Sequence, residues 1–512
     1  MLSPRPYLIE EYTTTVCPGC FAAGPRRSDE DVWRDGLLVS HDGQVWLRRF
    51  CAEHGETESL YEEDLEIWRA RAGWGTPTLQ ITPDRADNFA PFPAGYRDGL
   101  PASHGQHTCI LLLNVTQRCN YACPTCYASA QAPGTATAQP EWPTPEQIAA
   151  TVRTMLAREG GKLGVLMLSG GEPTVRDDLP AVIEAALAEN ITRVLINTNG
   201  RRIARDDRFL DFLRRHKDRI EVYLQFDGLR PSSHLAHRGE DVSGEKLLAL
   251  RRLQDAGVWN TMVMTLARGV NEDEAGDVLQ LGLSLPRTAG LAIQPVFGSG
   301  RNAGFDPRSR STPTGVLRRL EAQTGGLVNW RDFIPLPCSH QDCCDITYLL
   351  QDRHGKWQSL PRLLGPDELK RWIHLVSNTI SFDNVSGAVG EMLKSGAIQR
   401  IFSEQQKVPA RALAADIAKL CGCVQGLPDL LDALFAPGDA LERAAEKTFR
   451  LTVKMFMDAH TLHAARIRQC CVHTGTYEPD PRRYSFCWRW LFADASDFPE
   501  PRPQNLIELR SG

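Results

Sequence analysis

At 512 residues, with 42% apolar and 24% charged residues, the chain has the composition of a globular protein long enough for a catalytic core and an accessory domain. Its 58 basic residues stand against 63 acidic ones, and the formal net charge of -5 excludes a global nucleic-acid footprint. No apolar run reaches the ~18 residues of a spanning helix, and the opening "MLSPRPYLIEEY" has neither a basic nor an apolar signal segment. A cytoplasmic protein is the expectation, and in a reducing compartment 15 cysteines are better explained by metal-bound thiolates than by disulfides.

In chain order, the first group is "CPGC" (Cys17, Cys20) followed by "FCAEHG", which adds Cys51. A Cys-x-x-Cys knuckle plus distant ligands suits one tetrahedral ion. The fourth ligand is either Cys109, which makes an all-thiolate set, or His54, which makes a zinc set; the all-thiolate version is preferred because it uses every cysteine. Residues 1–108 are therefore read as an N-terminal metal-binding domain.

Apolar runs with strand character follow at 109–116, 162–171, 191–200, 219–228, 260–269 and 290–298. Segments with helical apolar spacing, such as "TPEQIAATVRTMLAREG", lie between them. The alternation predicts an α/β fold, a partial (β/α)6 barrel over 109–330 with its chemistry at the strand C-terminal ends. Directly after the first strand stands "RCNYACPTCYAS", with Cys119, Cys123 and Cys126. Three thiolates on one tight loop can hold three corners of a [4Fe-4S] cube and leave the last iron open. Later strands end in "SGGEPT" (Gly170, Gly171, Glu172), "INTNG" (Thr198, Asn199) and "YLQFDG" (Gln225, Asp227), polar or glycine positions where a parallel strand is otherwise apolar, and these are expected to ring a ligand. The arginine run "LRRHKDR" at 213–219 is read as a solvated helix end.

The remaining region, 331–512, carries Cys338, Cys343, Cys344, Cys421, Cys423, Cys470, Cys471 and Cys487. Eight thiols suffice for two more four-cysteine clusters, with their division left open. The stretch 429–467 has helical apolar spacing and is read as core packing of this auxiliary domain, with a tunnel wall or a membrane face as the other option.

The Cys-x3-Cys-x2-Cys spacing of Cys119, Cys123 and Cys126, followed one β/α unit later by "GGEP", resembles the radical S-adenosylmethionine (SAM) superfamily. The resemblance implies that the open iron chelates the methionine part of SAM and that one electron cleaves it to a 5'-deoxyadenosyl radical. It further implies that Gly170, Gly171 and Glu172 receive the methionine amine, and that Thr198, Asn199, Gln225 and Asp227 contact the methionine or ribose. The aromatic residue common before the third cysteine is here Thr125, with Tyr127 behind it. Together with "CAEHG", "DFIPLPCSHQDCC" and "SFCWRW", the chain is similar to tetraether lipid synthase and the related radical methylases that use a folate-type methylene donor. That likeness implies a rubredoxin-like mononuclear iron or zinc at the N-terminus and three [4Fe-4S] clusters, one radical and two auxiliary. It implies carbon-carbon bond formation at an unactivated sp3 carbon, first as coupling of lipid alkyl chains and alternatively as radical methylation of a small molecule. A non-catalytic iron-sulfur electron-transfer protein is the remaining alternative. The expected partners are a one-electron donor such as flavodoxin or ferredoxin and a lipid or small-molecule substrate, without nucleic acid and with peripheral membrane contact left open.

Overall fold

The structure, a computed structural model, describes residues 6–23, 32–74, 78, 81–134, 142–161, 163–302, 306–352, 354–364, 446–477 and 479–492. Cys421 and Cys423, and the 429–445 part of the stretch expected to be helical, lie outside the described residues.

Four strands form an antiparallel N-terminal sheet in the order β1 (Leu8–Val16), β2 (Trp33–His41), β3 (Gln44–Cys51) and β4 (Gly55–Glu62). The β2–β3 hairpin turns on Asp42-Gly43, both at positive φ (52° and 75°), the conformation that a two-residue turn needs to match strand twist. Leu38, Val45, Leu47, Tyr61 and Trp68 form the small core beneath.

The central sheet contains the six expected strands, β5 (Ile110–Thr116), β6 (Leu163–Gly170), β7 (Ile191–Thr198), β8 (Ile220–Gln225), β9 (Asn260–Leu266) and β10 (Thr288–Pro295), parallel and adjacent in sequence order. Each strand is apolar on both faces, because one face packs on helices and the other lines the concave interior. On β5, Leu111 and Leu113 belong to the helix-facing core and Ile110 and Leu112 to the interior. The crossover helix Pro145–Arg158 opens with a Thr144/Gln147 capping box and buries Ile148, Val152, Met155 and Leu156 along one stripe.

The chain after residue 330 joins this same sheet. It supplies β11 (Ile334–Pro335), β12 (Cys344–Gln351), β13 (Trp357–Ser359), β14 (Thr448–Lys454), β15 (Val472–Gly475) and β16 (Arg483–Ser485). β14 runs parallel beside β10 and β15 runs parallel beside β5, so the curved sheet is extended at both edges. The helical expectation for 429–467 is corrected here: Thr448–Lys454 is a strand and the described helix is short, Ala464–Arg468. "TFRLTVK" is rich in β-branched and aromatic residues, and pairing on both sides overrides local helical spacing.

The N-terminal sheet is fastened to the central sheet and its helices by buried charge. Arg71, on the helix Leu65–Arg71 after β4, bonds Glu62 at 2.7 Å and Asp345 at 2.5 and 3.0 Å. Glu62 and Glu63 also accept from the backbone N–H groups of Thr314 and Thr312, at the start of helix Pro313–Gln323. Among the described residues no helix is long and apolar enough to cross a membrane.

The edge pairing of β14 rests on Gly290, where a Cβ would stand 2.3 Å from the Arg450 carbonyl oxygen. Gly290→Ala is expected to push β14 off β10 and to cost about 1–3 kcal/mol, as overpacking does. A lower denaturant midpoint would show this, and an unchanged one would place the edge contact elsewhere.

Candidate active site

The three-cysteine loop leaves the C-terminal end of β5. Its base is held by backbone bonds from Gly171 N to Thr116 O (2.7 Å) and from Glu172 N to Arg118 O (2.9 Å). This explains the paired glycines. A Cβ on Gly170, at φ 117°, would lie 2.1 Å from Thr116 O, and one on Gly171 would lie 2.2 Å from Arg118 O. Burial pushes the Cys119 thiol up to about 12 and also raises Cys123. Raised thiols such as these give up their protons to a bound cation, and with Cys126 on the same loop and all three lining one chamber they fit a metal cluster and not free nucleophiles.

Glu172 is buried and its carboxylate accepts four bonds. Oε1 takes the Thr174 N–H (3.0 Å), the Thr174 hydroxyl (2.6 Å) and the Thr198 hydroxyl (2.6 Å), while Oε2 takes the Asn199 N–H (2.7 Å). Oε2, with a single donor, keeps a lone pair that a cationic amine in the chamber would use. The side chain of Asn199 donates to Asn120 of the cysteine loop at 2.6 Å. Gln225 bridges Asn197 and Arg238. Asp227 is fully buried behind the wall, where both oxygens hold Arg238 at 2.6 Å, and this guanidinium keeps its carboxyl well below the usual range against the opposing effect of burial.

Cys119, Cys123, Cys126, Gly170, Gly171, Glu172, Thr198, Asn199 and Gln225 line one chamber of about 170 Å³, whereas Asp227 supports it from outside. Sequence reasoning missed Asn120, Arg238, Arg301 and Lys454. Arg301 donates to the carbonyl oxygens of Cys123 (2.8 Å) and Ala130 (2.6 Å), pinning the cysteine loop from the β10 side. Tyr127 packs at 5.2–5.9 Å, centroid to centroid, against Phe297, Phe486 and Trp490.

The N-terminal ligands are corrected. Cys17, Cys20, Cys51 and His54 offer ligand atoms within 4.8 Å of one another, and Cys109 is not among them. The four-thiolate, rubredoxin-like set is thus replaced by a Cys3His set, which suits zinc in tetrahedral geometry. Two local signals support His54: it follows Cys51 by the knuckle spacing, and a Cβ on Gly19 of "CPGC" would strike its ring at 2.4 Å. Arg34 donates to Cys20 at 3.4 Å and Cys51 at 3.3 Å; against burial, the His54 and Arg34 bonds lower the Cys51 thiol to about 5, while burial and the neighbouring thiols push Cys20 up to about 12.

Cys109 instead meets Cys338 at 3.0 Å, and Cys338 meets Cys471 at 3.7 Å, forming a second, fully buried candidate metal group. Cys343, Cys344, Cys470 and Cys487 join Cys109 and Cys471 around one cavity of about 90 Å³ in the seam between β14 and the β5–β15 edge. Arg466 Nε lies 3.5 Å from Cys343 Sγ. The thiol-rich, buried donor set fits iron-sulfur ligation in character.

Residues 113–282 match the sequence model of the Radical SAM superfamily. The chain belongs to the radical SAM superfamily. Residues 9–63 of this radical SAM protein match the HMPTM N-terminal zinc ribbon domain, in agreement with the Cys3His geometry. Over 509 residues the chain is 26% identical to a 7,8-dihydro-6-hydroxymethylpterin dimethyltransferase of Methanocaldococcus jannaschii, an alignment that covers 94% of this chain and 93% of that one. A stretch of 174 residues is 31% identical to a GTP 3',8-cyclase of Tolumonas auensis, covering 33% of this chain and 48% of the cyclase. Among solved structures, SuiB of Streptococcus suis aligns over 43% of this chain and 47% of its own at 14% identity, with a TM-score of 0.35.

Two outcomes follow from the geometry. Gly171→Ala should detach the cysteine loop from β6 and remove about four irons from the anaerobically reconstituted protein while sparing the N-terminal ion, as metal analysis would show. His54→Ala should remove one ion per chain and Cys109→Ala should leave that ion in place; the reverse pattern would restore the all-thiolate site.

Proposed function

We propose that this protein is a radical SAM methyltransferase that adds a one-carbon group to a small, planar, polar heterocycle of the pterin class. The observation that carries this reading is the belt of polar side chains around the inner wall at the strand ends. By strand alternation from the interior apolar layer, Asn114, Ser169, Asn197, Gln225, Thr265, Gln294 and Lys454 all face inward on successive strands. Both side-chain polar atoms of Asn114 lack a hydrogen-bond partner among the described residues. A buried amide in that state is costly unless a ligand satisfies it.

Coupling of lipid alkyl chains, the first expectation from sequence, asks for the opposite lining. Methylenes laid against this belt would leave the Asn114 amide without a partner, whereas a heterocycle with ring nitrogens and a carbonyl answers it. Tyr127, Tyr223, Phe297, Phe456 and Phe486 line the same chamber and offer flat apolar faces to a planar ring. The alignment with the pterin dimethyltransferase over nearly the full length of both chains supports the same choice.

Cys119, Cys123 and Cys126 would hold the radical cluster, which when bound and reduced supplies the electron that splits SAM into methionine and a 5'-deoxyadenosyl radical. The work of the chain's own residues is positioning. Glu172 and Asn199 set the strand ends against the cysteine loop, Arg301 clamps that loop from the opposite side, and the aromatic cluster around Tyr127 excludes water from a radical. The electron would come from an external donor of the flavodoxin or ferredoxin kind.

The reading is tested with reconstituted, reduced full-length protein given SAM deuterated in its methyl group and 7,8-dihydro-6-hydroxymethylpterin. The expected products are 5'-deoxyadenosine and a pterin heavier by one carbon unit. Deuterium in that unit would identify SAM as its source, and unlabelled carbon would point to a separate methylene donor. An unaltered pterin alongside host lipids that lose two hydrogens per joined chain pair would return the assignment to lipid coupling.

A further inference from the structure

We propose that Lys454 is the substrate-orienting cation of the chamber: its ammonium receives a substrate oxygen bearing full or partial negative charge, either a ring carbonyl or a phosphate ester, with Tyr223 and Gln294 fixing the approach. This rests on the heterocycle reading above and adds to it the group that sets ring orientation.

Position is the first argument. Lys454 is the last residue of β14 and, like the other polar strand ends, it lies where β/α barrels place their chemistry. Pairing of Ile293 with Val453 sets Gln294 and Lys454 side by side on neighbouring strands. Gln294 Nε2 donates to the Tyr223 hydroxyl at 3.1 Å, and Lys454 Nζ lies 5.8 Å from the Tyr223 ring centroid. All three side chains line the chamber that the three-cysteine loop covers.

Charge balance is the second. The other charged groups of the chamber wall are answered within the protein. Glu172 accepts four bonds, Arg238 is held by both oxygens of Asp227, and Arg301 donates to two loop carbonyls. Among the described residues no carboxylate lies within ion-pair distance of Lys454 or of Arg301, but Arg301 is spent on the loop carbonyls, whereas Lys454 is held by the Tyr223 hydroxyl and the Cys344 thiol, which raise its ammonium against the effect of burial. An ammonium that meets only a phenol and a thiol keeps donor capacity for a further acceptor, and a negative oxygen arriving with a bound ligand would take it. An oxygen on a flat ring stacked near Tyr223 would fill that role, and it would hold the ring in one orientation beneath the cysteine loop.

The competing source of negative charge is the cysteine-lined seam, since Lys454 also borders that cavity and stands opposite Cys344 in the β12–β14 register. The experiment separates the two. Anaerobic titration of the reconstituted full chain would use three probes: 7,8-dihydro-6-hydroxymethylpterin, its phosphate ester, and the counterpart in which an amino group replaces the ring oxygen. Lys454→Met should weaken the first probe roughly 10- to 100-fold, the range expected for losing a charge-assisted bond. The unaltered protein should prefer the ring oxygen to the amino group, Lys454→Met should lose that preference, and Lys454→Arg should recover most of it. A loss confined to the phosphate ester would identify the oxygen as phosphate. Iron content and thermal unfolding control for folding. The inference is overturned if Lys454→Met binds all probes as the unaltered protein does, and likewise if its only effect is on the electron paramagnetic resonance signal of a seam cluster. If no probe binds the unaltered protein, the heterocycle reading falls and this inference with it.

Discussion

The buried Glu172 carboxylate and the two glycines before it are the constraint on which the open end of the barrel depends. A carboxylate out of water must have its lone pairs answered, and the four donors that answer this one come from the turn after β6 and from the end of β7. Satisfying Glu172 therefore brings two strand ends into a single arrangement. Asn199, whose N–H is one of the donors, passes the placement on through its side chain to Asn120, between the first two cysteines. On the other side, Gly170 and Gly171 let the chain run so close to Thr116 and Arg118 that the cysteine loop is tied to β6 by backbone bonds. Three thiols are thus placed by groups that touch none of them.

The second organising feature is the seam. Parallel strands from the C-terminal region extend the sheet at both edges, and the gap between those edges is lined by sulfur instead of being closed by strand pairing. Cys109 precedes β5 and Cys471 precedes β15, and since these two strands are hydrogen-bonded neighbours their leading cysteines meet. Cys338, carried in from beyond β10, completes the contact. A bound cluster there would join the two edges of the sheet as well as carry charge, since a site assembled from segments so far apart in sequence contributes to folding when filled.

Much of this was legible in the sequence because it follows from local pattern. Six both-face-apolar strands, the three-cysteine loop and the glycine pair were each specified within a dozen residues, and the structure places them as read. The errors lie where three dimensions decide. Cys109 was assigned to the N-terminal ion on count alone, because nothing in linear spacing reveals that β15 brings Cys471 to its side. His54, the second option for that ion, is the ligand that the structure brings to Cys17, Cys20 and Cys51, and Gly19 leaves room for its ring. "RLTVK" was swept into a helical stretch, because a strand that pairs on both flanks with distant chain shows no partner in its own window. Arg238 and Lys454 carry no motif, and their roles rest on which groups face them.

The two cavities share a wall. Ile110, Lys454, Phe456, Val472 and Phe486 border both the chamber and the sulfur-lined seam. Apart from Lys454 that wall is apolar, so charges on its two sides act on one another with little screening. Phe456 and Phe486 pack at 4.3 Å, centroid to centroid, with their rings tilted by 35°, and Phe486 also packs on Tyr127 directly after Cys126. A change of charge in the seam would reach the chamber first at Lys454, while the aromatic pair keeps water from filling the space between. The protein has placed Lys454 at the boundary between the chamber under the cysteine loop and the site richest in thiols, where substrate orientation and the charge of the seam bear on the same ammonium.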